Sequence, residues 1–334
     1  LDLPAKAPVE VTGMSLSVSV VIPTCKRPAD LAACLTAILE QSTPPLEVIV
    51  VDNDAQHGAQ ATLALHAAQC AAQHIGLFYA ASPKNSLPCA RNLGVQLAQG
   101  DIVQFLDDDV VLDPDYLSEI LKVYAAKSTA LGVEGLTANL QEKPGFWRRI
   151  LFQSNTGPGA HRALPSIRTI YPLAPSALVP CECLGGCNAS YRRAILAEYP
   201  GDENLLKYAF GEDFDQSYRI FQRHPGTLWL TPFARCTHKV SQAGRAAGKE
   251  RVYVTEVYGL YLFFKLFPHT PKNTAIYWWS CFGRILEKVA HLSPRKSAEL
   301  RDLLGALSFC RRHLPEIKAG DLAFFNRTLT APNA

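Results

Sequence analysis

Asp101-Ile102-Val103-Gln104-Phe105-Leu106-Asp107-Asp108-Asp109-Val110 is the stretch on which the fold turns. Its first six residues read as a buried strand of a parallel sheet, and three carboxylates follow at once. Ligand sites of open α/β sheets lie outside the carboxyl ends of the strands, so the acidic run stands where a site belongs. Three like charges repel unless solvent or a cation compensates them, which points to a divalent metal. The competing reading is an acidic loop capping a helix that starts near Asp113-Pro114. The rest of the chain has to decide.

Upstream, strand and helix signals alternate without a repeat. Val18 to Ile22 is a strand ended by Pro23, and Ala29 to Leu39 carries apolar residues at helical spacing until Gln41-Ser42-Thr43-Pro44-Pro45 breaks it. Leu46 to Val51 is the next strand, ending at Asp52-Asn53-Asp54. A helix over Ala59 to Gln73 leads to the strand Gly76 to Ala80, and a helix over Cys89 to Gln99 stops at Gly100. The pattern is α/β, with a mostly parallel central sheet and helices on both faces. No strand is followed by G-x-G-x-x-G and no G-x-x-x-x-G-K-[ST] occurs, which argues against dinucleotide dehydrogenases and P-loop NTPases. The strand ends carry Thr24 with Arg27, then Asp52, then Asp107 to Asp109. Carboxylates facing a base or ribose, beside others holding a metal diphosphate, form a coherent nucleotide site.

The 334 residues are ample for one large α/β domain with an appendage. A net charge of +3 gives no reason to expect a nucleic acid partner. The basic excess is local: between Lys249 and Lys318 twelve Lys and Arg face six Asp and Glu. The single Met, Met14, precedes the first strand, and residues 1 to 13 are read as a disordered or added tail outside the fold. No secretory signal is found before that strand, so a cytoplasmic protein is expected. Ten cysteines within apolar patterns read as free thiols of a reducing compartment. Cys181, Cys183 and Cys187, with Cys236 and His238, admit a zinc reading, against which stands a spacing unlike the usual paired knuckle.

Six segments in order now resemble the family 2 glycosyltransferases with the GT-A fold, from about Ser19 to Val240: Ser19 to Thr24, Val50 to Asp54, Ala90-Arg91-Asn92-x-Gly94, Phe105 to Asp109, Gly185-Gly186-Cys187-Asn188, and Gly211-Glu212-Asp213-Phe214-Asp215. The resemblance implies a nucleotide-diphospho-sugar transferase. It places Pro23, Thr24 and Asp52 at the base and ribose of the donor, Arg27 among the residues binding the nucleotide sugar, and Arg91 near the nucleotide, where a guanidinium can also pair with the acidic cluster. Asn92 stays open between site and helix packing. Asp107 and Asp108 fall to the nucleotide sugar, and Asp109 becomes the principal ligand of Mn2+ or Mg2+.

Gly185 and Gly186 lie, by the same resemblance, under the transferred sugar; a plain tight turn is the alternative. Tyr191 to Leu196 reads as the helix that packs the site. Asp213 is implied as catalytic base, with Glu212 binding hydroxyls, although acidic residues at a helix start are also ordinary caps. Asp215 reads as a surface carboxylate without a role. The implied reaction is one inverting displacement, in which Asp213 takes a proton from an acceptor hydroxyl. His238, after the strand Thr227 to Leu230, stands where related enzymes complete the metal shell; a turn-ordering histidine is the alternative, and Lys239 and Arg245 are further diphosphate contacts.

Three regions are expected: the tail 1–13, a GT-A catalytic domain over 14–245 with a nucleotide half of about 14–110 and an acceptor half of about 111–245, and a helical extension over 246–334. The aromatic runs Val252 to Phe267 and Ala275 to Phe282, followed by Arg284, Lys288, Arg295 and Lys296, are read as core packing or a homodimer contact, with peripheral docking on the inner face of a membrane as the rival. The acceptor is a hydroxyl of a saccharide or a lipid-linked glycan in glycan, polysaccharide or glycoconjugate synthesis. Two alternatives remain: a non-catalytic sugar-binding module on the same scaffold, and a sugar nucleotidyltransferase, whose glycine-rich basic loop is missing from Thr24-Cys25-Lys26-Arg27-Pro28.

Overall fold

The computed structural model describes residues 16–140, 146–151, 156–157, 161–207, 210–241, 243, 247–290 and 294–330; the tail expected at 1–13 and Arg245 lie outside them. The expected alternation is present as β1 (Val18–Thr24), α1 (Pro28–Leu39), β2 (Glu47–Asp52), α2 (Ala59–Ala72), β3 (Gly76–Ala81), α3 (Leu87–Leu97) and β4 (Ile102–Phe105). Then follow β5 (Val110–Leu112), α4 (Tyr116–Ala126), β6 (Gly132–Thr137) and α5 (Phe146–Ile150). A small sheet holds β7 (Thr156–Gly157), β8 (Arg162–Leu164) and β9 (Arg168–Pro172). The chain returns to the main sheet as β10 (Val179–Pro180), β11 (Ala189–Arg192), α6 (Arg193–Glu198), α7 (Glu212–Arg223) and β12 (Leu228–His238).

The main sheet runs β10-β12-β6-β11-β4-β1-β2-β3, with β5 on β12. β3, β2, β1 and β4 are mutually parallel, β12 is parallel to β6, and β11 runs antiparallel between β4 and β6. Every residue of β1 is buried because both faces are covered. Val20 and Ile22 share a core with Leu31, Leu35 and Ile38 of α1, while Val21 packs on the other face with Ala90 of α3. α3 starts at Leu87, where the Ser86 hydroxyl accepts from the Cys89 amide at 3.3 Å, a cap that contributes about 1 kcal/mol.

Three differences from the sequence reading bear on the site. Pro23 lies inside β1, which is permitted because β4 pairs only with Val18 to Val21, so β1 has a single neighbour by Pro23. Tyr191 and Arg192 belong to β11 rather than to a helix, since Tyr191 slots between β4 and β6 against Phe105, ring centroids 6.0 Å apart. β12 runs on to His238 instead of ending at Leu230, crossing Pro232 at a register shift between Thr231 and Arg235.

The last described elements are all helical: α8 (Gly248–Leu266), α9 (Pro271–Ala290), α10 (Pro294–Arg312), α11 (Leu314–Ala319) and α12 (Ala323–Thr330). α8 is the core of this cluster. Its Glu256, read as an interruption of an apolar run, pairs with Arg284 of α9 at 2.6 Å. Its Lys265 pairs with Asp202 and Asp215 at 2.6 and 2.8 Å. The cluster leans on α7, whose Phe214 and Tyr218 pack against Phe267. Among the described residues no helix is long and apolar enough to cross a membrane.

Candidate active site

Backbone register assembles the first half of the site. Leu106 continues the ladder through its amide to Val21, and the chain then turns, with the Val110 amide bonded to the Asp107 carbonyl at 3.1 Å. β5 pairs with β12 so that Val110 stands opposite His238, which brings the imidazole to the carboxylate one residue earlier. Asp109 Oδ1 lies 3.0 Å from His238 Nε2, and Oδ2 accepts the Ser241 amide at 2.8 Å. Burial alone would raise the Asp109 carboxyl, but His238, the Ser241 amide and Arg27 outweigh it and hold it down to about 2. One ligand atom each from Asp107, Asp109 and His238 fall within 4.8 Å of one another. Two carboxylates and an imidazole at that spacing could hold a divalent cation.

Among the described residues this is the one group of three or more His, Cys, Asp and Glu side chains close enough to hold an ion, and it takes His238 without any cysteine. The cysteines are free thiols occupied elsewhere: Cys236 Sγ accepts from Asn188 at 3.0 Å, and Cys183 lies 3.3 Å from the Thr169 hydroxyl. Lys239 is bonded to Asp30 at 3.3 Å.

Asp108 turns away from Asp107 and Asp109. Its carboxylate accepts from the Thr24 hydroxyl at 2.7 Å and from Arg27 at 2.9 Å, and burial pushes it up to about 6 against the pull of Arg27. Arg27 also stands 3.6 Å from Asp109. Asp52, opposite Thr24 in the β1–β2 register, accepts the amides of Asp54 and Ala59 at 2.8 and 3.1 Å and so fixes the entry to α2. Pro23 is the residue before Thr24 at the same end of the sheet.

Arg91 joins the two halves. Buried in α3, it donates to Asp107 at 3.0 Å, to the Gly186 carbonyl at 2.7 Å and to Glu212 at 2.5 Å. Gly186 in turn donates its amide to Asp213 Oδ2 at 2.8 Å, and Oδ1 accepts the Phe214 amide at 2.8 Å. Both oxygens of Asp213 keep a lone pair for a hydroxyl. Burial pushes Glu212 up, Arg91 opposing and the Asp213 charge adding to it. The paired glycines make room for protein side chains: a Cβ at Gly186 would sit 2.8 Å from Arg91 and 2.9 Å from Asp213, and one at Gly185 would overlap the Tyr171 hydroxyl at 2.4 Å. Gly211 opens α7 with φ of 75°, a left-handed conformation that a side chain would strain.

Asn92 holds the 201–203 loop through Gly201 and Glu203, which settles it as a packing group. Asp215 corrects the sequence reading, being fully buried and paired with Arg219 and Lys265 rather than lying on the surface.

Sequence reasoning missed two residues. Glu134 of β6 is buried, accepts the Gly185 amide at 2.7 Å, and is pushed up to about 8 by burial, against that amide and with help from Asp213. His161 is fully buried, with Nε2 3.7 Å from Glu134 and neither ring nitrogen hydrogen-bonded. The available signal for Glu134 was a carboxylate inside the apolar strand Gly132-Val133-Glu134-Gly135-Leu136. His161 carried no pattern.

The family profile described as Glycosyl transferase family 2 matches residues 19–199, more than half of the chain, and ends before Asp213 and His238. The glucosyl-dolichyl phosphate glucuronosyltransferase of Haloferax volcanii is 24% identical over 247 residues, which are 68% of this chain and 70% of that protein. Succinoglycan biosynthesis protein ExoM of Rhizobium meliloti is 28% identical over 138 residues, 40% of this chain and 43% of its own. Among solved structures, the mannosyltransferase PcManGT from Pyrobaculum calidifontis, in complex with GDP-Man and Mn2+, is similar with a TM-score of 0.55 at 17% identity, covering 97% of this chain and 91% of that one. That likeness shows a shared GT-A fold.

Proposed function

Because this chain belongs to glycosyl transferase family 2, we propose that it moves a sugar, with inversion, from a nucleoside diphosphate to a hydroxyl of a saccharide or lipid-linked acceptor. The observation that supports the reading is the three-way attachment of Arg91 to Asp107, Gly186 and Glu212, which links the carboxylates after β4 to the glycine pair and to the start of α7. Asp107, Asp109 and His238 would hold the divalent cation, which supplies positive charge against the diphosphate. Asp213, fixed by two amides, takes the acceptor proton. The acceptor oxygen forms its bond to the anomeric carbon as the bond to the diphosphate oxygen breaks, and the nucleoside diphosphate leaves with that electron pair. Glu212, held by Arg91, orients hydroxyls beside the base. The acceptor class draws support from a dolichyl phosphate in one relative's name and polysaccharide synthesis in another's.

The test is a thermal-shift panel of uridine, guanosine and thymidine diphosphates with and without Mn2+. One diphosphate should stabilise the chain in the presence of Mn2+, by about 2.7 kcal/mol at a hundredfold excess over its Kd. Asp109→Asn should remove the cation-dependent part. A folded chain that no diphosphate stabilises with Mn2+ would overturn the reading, and the anomer of the product, seen by NMR, checks inversion.

A further inference from the structure

The outward face of α9 reverses what water selects. Ala275, Trp278, Trp279, Phe282, Leu286 and Val289 recur at helical spacing and are all exposed, while Tyr277, Ser280, Cys281 and Gly283 face the core. Surface helices turn charge outward, yet no charged residue lies on this stripe between Ala275 and Val289. α5 extends it sideways. Trp279 Nε1 donates to the Ile150 carbonyl at 3.0 Å, Leu151 lies against Gly283, and beyond them Phe146 and Trp147 are 69% and 72% exposed. Scattered apolar side chains on a surface need no explanation, but a contiguous platform does. It holds three of the four tryptophans of the chain, Trp147, Trp278 and Trp279.

The rim is basic. Arg148, Arg149 and Lys272 are exposed around the platform; among acids, Glu287 lies 3.8 Å from Arg148, and Glu299 is taken up by Lys288 and Lys296. We infer that this face docks on the surface of an anionic lipid bilayer, with α9 lying in the plane of the headgroups. Indole rings favour that boundary, amphipathic helices insert their apolar side there, and exposed Lys and Arg attract anionic headgroups. A second copy of the chain would cover the apolar area equally well, but a two-fold contact would set the same cationic rims against each other. The inference deepens the proposed function by bringing a transferase to a lipid-borne acceptor, while resting on the platform alone.

The experiment is co-sedimentation of the full chain with phosphatidylcholine vesicles, with and without phosphatidylglycerol, read together with tryptophan emission. Binding is expected to the anionic vesicles, with a blue shift and with weakening at high salt. Trp147→Ser with Trp278→Ser should lower partitioning about a hundredfold, roughly tenfold per ring, and the diphosphate-dependent thermal shift of the same variant verifies its fold. No binding to anionic vesicles, or binding that the double variant leaves unchanged, overturns the inference. A lipid-free dimer broken by the double variant also overturns it and assigns the face to a second copy. Vesicle binding needs neither donor nor acceptor, so its failure is distinct from failure of the transferase reading.

Discussion

On the side proposed to take the donor, Asp107, Asp108 and Asp109 are distributed by the backbone: one turn after β4, and a strand pairing that sets Val110 opposite His238. On the side proposed to take the acceptor, Glu212 and Asp213 are placed by side chains and by close packing, through Arg91, the Gly185-Gly186 pair, Glu134, and a helix that leans on α8. Local pairing is written in consecutive residues. Packing is written in residues that lie a hundred positions apart.

The strongest way to break this contrast is Asp213→Asn, which keeps an acceptor for the Gly186 amide but removes the proposed base. Transfer should fall by about a hundred- to ten-thousandfold, with the diphosphate-dependent thermal shift unchanged. A variant that transfers at the native rate would remove Asp213 from the chemistry. Next comes the joint between the halves. Arg91→Met leaves Asp107 and Glu212 without their shared cation and should cost about 3 to 5 kcal/mol in urea unfolding. A native unfolding midpoint would mean that the halves stand independently.

The smallest effect over any single pH unit is a pH dependence. Glu134 is pushed up from its usual 4.5 to about 8, so the folded chain holds a proton that the unfolded chain has released. Its contribution to stability is therefore full below about 4.5 and is lost as pH rises towards about 8, on the order of 1 kcal/mol per pH unit. Glu134→Gln cannot titrate, so its stability relative to the native chain should climb across that window in urea midpoints. Parallel curves would show that Glu134 is ionised in the fold.

The same contrast governs what the sequence disclosed. Val18 to Ile22, Leu46 to Val51 and Asp101 to Leu106 were legible because apolar runs between turn residues leave few alternatives, and the carboxylates at their ends followed from the architecture. The strand read over Thr227 to Leu230 runs on across Pro232 to His238, and only the register shift between Thr231 and Arg235 shows how a strand carries a proline there. Tyr191 was assigned to a helix because the two strands that flank it lie far away in the chain. Asp215 was read as a surface group because its partner Lys265 sits fifty residues on. Glu134 and His161 meet only in the folded chain.

The irregular stretch from Thr231 to Arg235 has one more effect, which depends on counting. Beyond it, odd and even residues of β12 alternate between water and protein, and the imidazole takes an even place. With the pairing of Leu228 to Leu230 held fixed, deletion of a single residue from that stretch would carry Lys239 into the slot of His238. An ammonium would then face Asp109, a fixed charge in place of a group able to share an ion. The length of this spacer, more than any touch it makes, sets which chemistry the carboxylate meets.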